Sequence, residues 1–231
     1  LIILISYCLI SLRLYIITQY KINYTDLLKI NIISSFFSNL NSAGSEVIRI
    51  LMLRKKVKLI SSFTYVFCDR LIGLISKVVL IITALFFLLK LNPILIFLFV
   101  LLITFLSKIL FSKIFPFVIN YINTFAIFKK YKIDKKKFSE ISKIKVFSSV
   151  FLISFTCHFL QVIFIYLISI YFAKNLEFLY TMIIGPFVMA ISSIPISIGG
   201  WGVRELTMIQ GYNFFNVQAD TALRISITIG I

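Results

Sequence analysis

Residues 146–173, VFSSVFLISFTCHFLQVIFIYLISIYFA, decide the fold: 28 consecutive positions between Lys145 and Lys174 hold no Lys, Arg, Asp or Glu. A helix rises about 1.5 Å per residue and the bilayer hydrocarbon is about 30 Å thick, so about 20 apolar residues cross it. Residues 146–173 therefore predict a membrane-spanning helix. Working outward, 17 uncharged residues lie between Lys90 and Lys108, opened by Asn92-Pro93, and since proline suits a first helical turn they give a span near 93–111. Residues 59–89 are longer than a span needs and carry Asp69, Arg70 and Lys77. Residues 1–19 read as a span containing Arg13, and 219–231 as the start of a last one. Leu1 and Ile231 both stand inside apolar runs, so truncation at both ends is expected.

Composition agrees with that reading. Of 231 residues, 60% are hydrophobic and 14% charged, with a mean hydropathy of +1.04. Soluble domains average about 45–50% apolar and about 25% charged residues, so a soluble enzyme, a disordered tail and a disulfide scaffold are excluded. Cys8, Cys68 and Cys157 lie in apolar runs and read as small core residues. The net charge of +16 would suggest nucleic acid in a soluble protein, but these basic residues flank hydrophobic runs. Membrane topology and anionic lipid account for them instead, with no nucleic-acid partner expected.

Two blocks carry ten of the sixteen excess charges: Arg54, Lys55, Lys56 and Lys58, and the stretch Lys129–Lys145 with eight lysines against Asp134 and Glu140. Both are expected on the cytoplasmic side, and two spans between them keep that assignment consistent. The second block lies in a basic segment, 112–145, expected to rest on anionic lipid; the plainer alternative is a topology determinant alone.

Two apolar stretches do not read as simple spans. Residues 27–43 are short and broken by Ser and Asn. Residues 178–198 open as a helix, then 199–212 pass through Gly199-Gly200-Trp201-Gly202. Non-helical backbone at membrane depth is tolerated only inside protein or beside a watery cavity. Both stretches are expected to be re-entrant or broken helices, with an interfacial loop as the alternative for the glycine turn. The fold class is an all-α polytopic membrane bundle forming one transmembrane domain over 1–231.

Charges at membrane depth cost at least about 2.5 kcal/mol each and need a reason. Three groups stand out: Glu46 with Arg49 one helical turn on, Asp69-Arg70, and Arg204-Glu205. Arg70, Gly73 and Lys77 share a face and leave a gap at the glycine. Arg49, Arg70 and Arg204 offer planar forks suited to phosphate. Gly199, Gly200 and Gly202 would let a head group approach the backbone. Alternatively the charges pair with each other, Arg49 with Glu46 and Arg204 with a carboxylate of another helix, and only fix packing. His158, the single histidine, stands beside Cys157 without metal-ligand spacing and reads as a buried hydrogen-bonded side chain. No nucleophile motif, metal motif or cofactor site is apparent, so no catalytic residue is assigned.

The segment Pro195-Ile-Ser-Ile-Gly199-Gly200-Trp201-Gly202-Val203-Arg204-Glu205 resembles the P-x-x-x-G-G-x-G-x-R-E signature of the lysylphosphatidylglycerol synthase transmembrane region, or flippase-like domain, family. Asn39 to Arg49, with Gly44-Ser45-Glu46 inside, resembles a second motif of that family, and Asp69-Arg70-Leu-Ile-Gly73-Leu a third, in the same order. The proline expected before Gly44 is absent. The resemblance covers essentially the whole chain, without the soluble aminoacyl-transfer domain that some members carry. It implies a multi-pass protein of a bacterial or archaeal plasma membrane that flips an anionic or phosphate-linked lipid, such as an aminoacylated phosphatidylglycerol or a lipid-linked sugar. Arg49, Arg70 and Arg204 would hold the phosphate; Glu46, Asp69 and Glu205 would balance them or engage a cationic head group. A membrane-embedded lipid-phosphate transferase, with Asp69 or Glu205 as base, and a structural partner of a separate synthase are the alternatives.

Overall fold

Ten helices form among the described residues of the computed structural model, which are 1–38, 42–109, 135–193 and 200–230. They are α1 (Ile2–Ile17), α2 (Tyr24–Ser38), α3 (Ser42–Arg54), α4 (Leu59–Leu88), α5 (Pro93–Ile109), α6 (Lys135–Ile141), α7 (Ile144–Phe172), α8 (Phe178–Ser192), α9 (Val203–Asn213) and α10 (Ala219–Gly230). No strand occurs among the described residues. The fold is an all-helical membrane bundle.

The two charge-sparse runs become its longest helices. α4 has 30 residues and α7 has 29, and both are long and apolar enough to cross a bilayer. Their outward faces keep Leu74, Val78, Leu85, Leu152 and Leu167 exposed, as a lipid-facing surface requires. α5 packs on α4, and Ile94, Leu95, Leu98, Leu101, Leu102 and Phe105 stay exposed.

Of the stretch expected to span over 178–198, Phe178–Ser192 is helical and residues 194–199 lie outside the described residues. Residues 27–43 fall on two helices, α2 and α3, with 39–41 outside the described residues. Of the basic segment 112–145, only residues from Lys135 onward are described.

α2, α3, α8 and α9 hold 15, 13, 15 and 11 residues, so at about 1.5 Å per residue none reaches the ~30 Å of a full span. Each pair packs side by side as a hairpin. The start of α2 and the end of α3 are tied together by Asp26 and Lys56 at 3.0 Å. Ile17, Ile22, Leu27, Leu53, Phe138, Ile141 and Phe147 cluster at that end, where Gln19 Nε2 also donates to Glu140 Oε2 at 2.9 Å. The basic block Arg54–Lys58 and helix α6 thus share one end of the bundle. The α8–α9 hairpin opens at the opposite end, where Tyr180 and Phe215 stack at 4.0 Å beside Leu176 and Val217. The two hairpins enter from opposite ends, and Ser45 and Glu46 of one line the same cleft as Ser192 and Arg204 of the other.

Close approach of α9 to α8 depends on a missing side chain. A Cβ on Gly211 would stand 3.1 Å from Ile184 Cγ2, and small residues at such crossings let backbones approach. Next to it, the buried Tyr212 hydroxyl lies 3.0 Å from Ser169 Oγ and 3.2 Å from Thr181 Oγ1, joining α7, α8 and α9. Gly211→Leu is expected to cost about 1–3 kcal/mol by overpacking. Thermal unfolding in detergent should show a lowered midpoint, and an unchanged midpoint would contradict this packing.

Candidate functional site

Asp69 stands ten residues into α4 and is fully buried. Arg13 of α1 grips it side-on, Nε donating to Oδ1 at 2.5 Å and Nη2 to Oδ2 at 2.8 Å. Arg13 Nη1 donates to Ser154 Oγ of α7 at 2.9 Å. Arg49 of α3 donates from Nη1 to the same Asp69 Oδ2, at 2.9 Å. One carboxylate therefore joins two arginines from helices that are distant in sequence. Arg70, the next residue on α4, turns away and pairs through Nη2 with Glu46 Oε1. Successive helical residues are about 100° apart, so neighbours cannot share a partner direction.

Beside this cluster lies a cleft of about 520 Å³. Glu46, Arg49, Arg70 and Arg204 all line it, so the sequence-predicted charges of three separate regions come together. Arg13, Lys77, His158 and Ser192 line it too. Lys77 Nζ donates to Met189 O at 3.4 Å, and His158 Nδ1 is 2.9 Å from Gln161 Oε1.

Arg204 begins α9. It pairs with its own neighbour, Nε and Nη2 lying 3.2 and 3.0 Å from Glu205 Oε1, and its guanidinium sits 4.8 Å from the Trp201 ring centroid. Glu205 reaches back to accept Gly202 N–H at 2.5 Å and also accepts from Ser226 Oγ at 3.3 Å. Gly200 and Gly202 have φ of +79° and +82°, a region that favours glycine. Gly199 and Pro195 lie outside the described residues.

The expected pairings are redrawn. Arg49 is 3.9 Å from Glu46 but bonds Asp69, Glu46 serves Arg70, and Arg204 finds no distant carboxylate among the described residues. Asp69 and Glu205 stand behind the cleft rather than in its lining. The gap at Gly73 is filled by Arg13 Nη1 and His158 Nε2, which a Cβ there would meet at 3.4 and 3.6 Å. Arg13, Lys77, His158 and Ser192 were not in the predicted set. Their signal was polarity inside apolar runs and, for Lys77, a helix face shared with Arg70. Five cationic side chains (Arg13, Arg49, Arg70, Lys77, Arg204) meet three carboxylates (Glu46, Asp69, Glu205), an excess of two positive charges.

The family model described as lysylphosphatidylglycerol synthase TM region matches residues 1–231. The chain belongs to that family. Membership of the lysylphosphatidylglycerol synthase TM region family makes it a membrane protein of lipid-related processes, and gives the cleft a lipid context. No curated protein and no solved structure matches the chain.

Breaking a buried ion pair by removing one partner costs about 3–5 kcal/mol, because a charge is left uncompensated. Asp69→Asn should destabilise the fold on that scale, well beyond Arg70→Ala, whose side chain is 43% exposed. Unfolding midpoints of the two variants in one detergent decide it. Equal midpoints would contradict the role given to Asp69.

Proposed function

We propose that the protein moves a phosphate-bearing anionic lipid across the membrane, its head group passing through the cleft between the two opposed hairpins. The observation that carries this reading is the cleft itself: excess positive charge, four arginines in its lining, and short helices entering from both ends. A head group there exchanges water for guanidinium forks, which bind phosphate oxygens with charge-assisted hydrogen bonds. Its acyl chains stay against the exposed apolar faces. Arg70, paired with Glu46 at the cleft wall, can exchange that carboxylate for a phosphate oxygen.

Arg204 is held against the Trp201 ring and Glu205, which fixes its guanidinium at the start of α9. Gly200 packs on Ser192, a Cβ there meeting Ser192 Cβ at 3.3 Å, so the turn closes tightly on the end of α8. In this reading the protein is a multi-pass plasma-membrane protein. The end carrying Arg54–Lys58 and α6 faces the cytoplasm, and the Lys129–Lys145 segment rests on anionic lipid. The partner it implies is the separate synthase or transferase that makes the lipid. The substrate candidates are an aminoacylated phosphatidylglycerol and a lipid-linked sugar.

The two carboxylates a transferase would use as base are both engaged. Asp69 accepts three guanidinium bonds, and Glu205 accepts from Gly202, Arg204 and Ser226. That favours translocation over bond making.

A hydrogen bond to a charged group is worth about 1.5–3 kcal/mol, so Arg70→Ala or Arg204→Ala should slow translocation about 10- to 100-fold. The measurement is movement of labelled phospholipids in proteoliposomes. Unchanged rates in both variants for every candidate lipid would sink the proposal.

A further inference from the structure

Arg13 and Arg49 meet the same carboxylate in different ways. Arg13 spends its Nε–Nη2 edge on Asp69, the side-on fork that matches two oxygens. Arg49 spends only Nη1. Its own Nε and Nη2 have no hydrogen-bond partner among the described residues, although the residue is 95% buried and lines the cleft. A buried guanidinium edge left without acceptors is costly, and such orphans in a native fold call for an explanation. An unfilled two-pronged donor has a definite complement, a group presenting two adjacent oxygens with negative charge.

The remaining orphans narrow the ligand. Glu46 gives Oε1 to Arg70, while its Oε2 has no hydrogen-bond partner among the described residues and stands 3.9 Å from Arg49 Nη1. A carboxylate oxygen in the same lining, beside the Arg49 guanidinium, repels a second negative charge and welcomes a donor. His158 Nε2 and Ser192 Oγ, also in the lining, are unpartnered among the described residues and can meet further polar atoms.

We propose that the Nε–Nη2 edge of Arg49 is the seat for the two free oxygens of one phosphodiester, and that Glu46 Oε2 takes a hydroxyl or ammonium donor on the same head group. This rests on reading the cleft as a lipid-phosphate site, and it narrows that reading. The site selects a singly charged phosphodiester with a neighbouring donor over a phosphomonoester. The latter carries about −1.5 to −2 charges at pH 7 and, in phosphatidic acid, no head-group alcohol or ammonium. Arg70 and Arg204 then act at the margin of the cleft, and Arg49 at its seat.

The test is lipid binding to the full chain in detergent micelles by native mass spectrometry, with dioleoyl phosphatidylglycerol and dioleoyl phosphatidic acid as probes. The wild type should prefer phosphatidylglycerol. Glu46→Gln should collapse that preference, by raising phosphatidic acid binding about tenfold or more relative to phosphatidylglycerol. Arg49→Lys keeps a cation for Asp69 but loses the fork, and should weaken phosphatidylglycerol about tenfold. Soluble glycerophosphoglycerol should compete better than inorganic phosphate. Phosphatidic acid bound as well as phosphatidylglycerol by the wild type would overturn the proposal, as would an undiminished Arg49→Lys or equal competition by inorganic phosphate. Should Arg49→Lys fail to fold, the Glu46→Gln preference decides alone. Proteoliposomes separate this from the transport reading. If no lipid moves but the binding ratios hold, transport falls and the seat stands; if Arg49→Lys moves lipid at the wild-type rate, the seat falls and transport stands.

Discussion

Asp69 is the constraint on which the polar centre of this bundle depends. A single carboxylate with no solvent exposure holds Arg13 from α1 and Arg49 from α3, and Arg13 in turn reaches Ser154 on α7. Four helices are thereby fixed around one point about 15 Å along α4, counted at the helical rise. Removing two cations from water is costly, and only a shared, well-aligned acceptor makes it tolerable. One carboxylate cannot saturate two guanidinium groups. Arg49 is left with an open edge, and the cleft inherits positive charge from the same contact that stabilises it.

The hairpins supply the space. Full-length helices packed side by side would fill the centre with apolar side chains. α2, α3, α8 and α9 are each too short to cross, so their inner ends bring helix termini, serines and charged residues to the middle of the bundle. α4 and α7 carry the span, and α1 packs against α7. The tightness of the second hairpin comes from Gly211 on Ile184 and the Gly200 turn on Ser192. Long apolar helices thus provide the membrane scaffold, and short ones open a polar site within it.

How much of this is legible in the sequence differs by element. Residues 59–89 and 146–173 declare themselves because an uninterrupted apolar run has few other fates, and they become α4 and α7 almost unchanged. The serines near 27–43 and the glycines at the start of 199–212 stand beside the short helices α2, α3, α8 and α9. Charged residues in apolar runs mark the cleft, because charge at membrane depth is costly. Pairing is not legible. Glu46 and Arg49, three apart, look like partners, yet each finds its main partner on α4, more than a turn of sequence away. Arg13 and Asp69 are 56 residues apart, and nothing local in either signals the other. Helix packing decides which side chains meet, and a sequence without tertiary contacts cannot supply it. The gap at Gly73 shows the same limit: its helical face was evident, but not that Arg13 and His158 would fill it.

The most direct measurement is an experimental structure of the protein in nanodiscs containing phosphatidylglycerol. A lipid phosphate is expected inside the cleft, within hydrogen-bonding distance of Arg49 Nε and Nη2, between the two hairpins. A cleft holding only water or acyl chain, with every lipid phosphate at the bilayer surface, would contradict it.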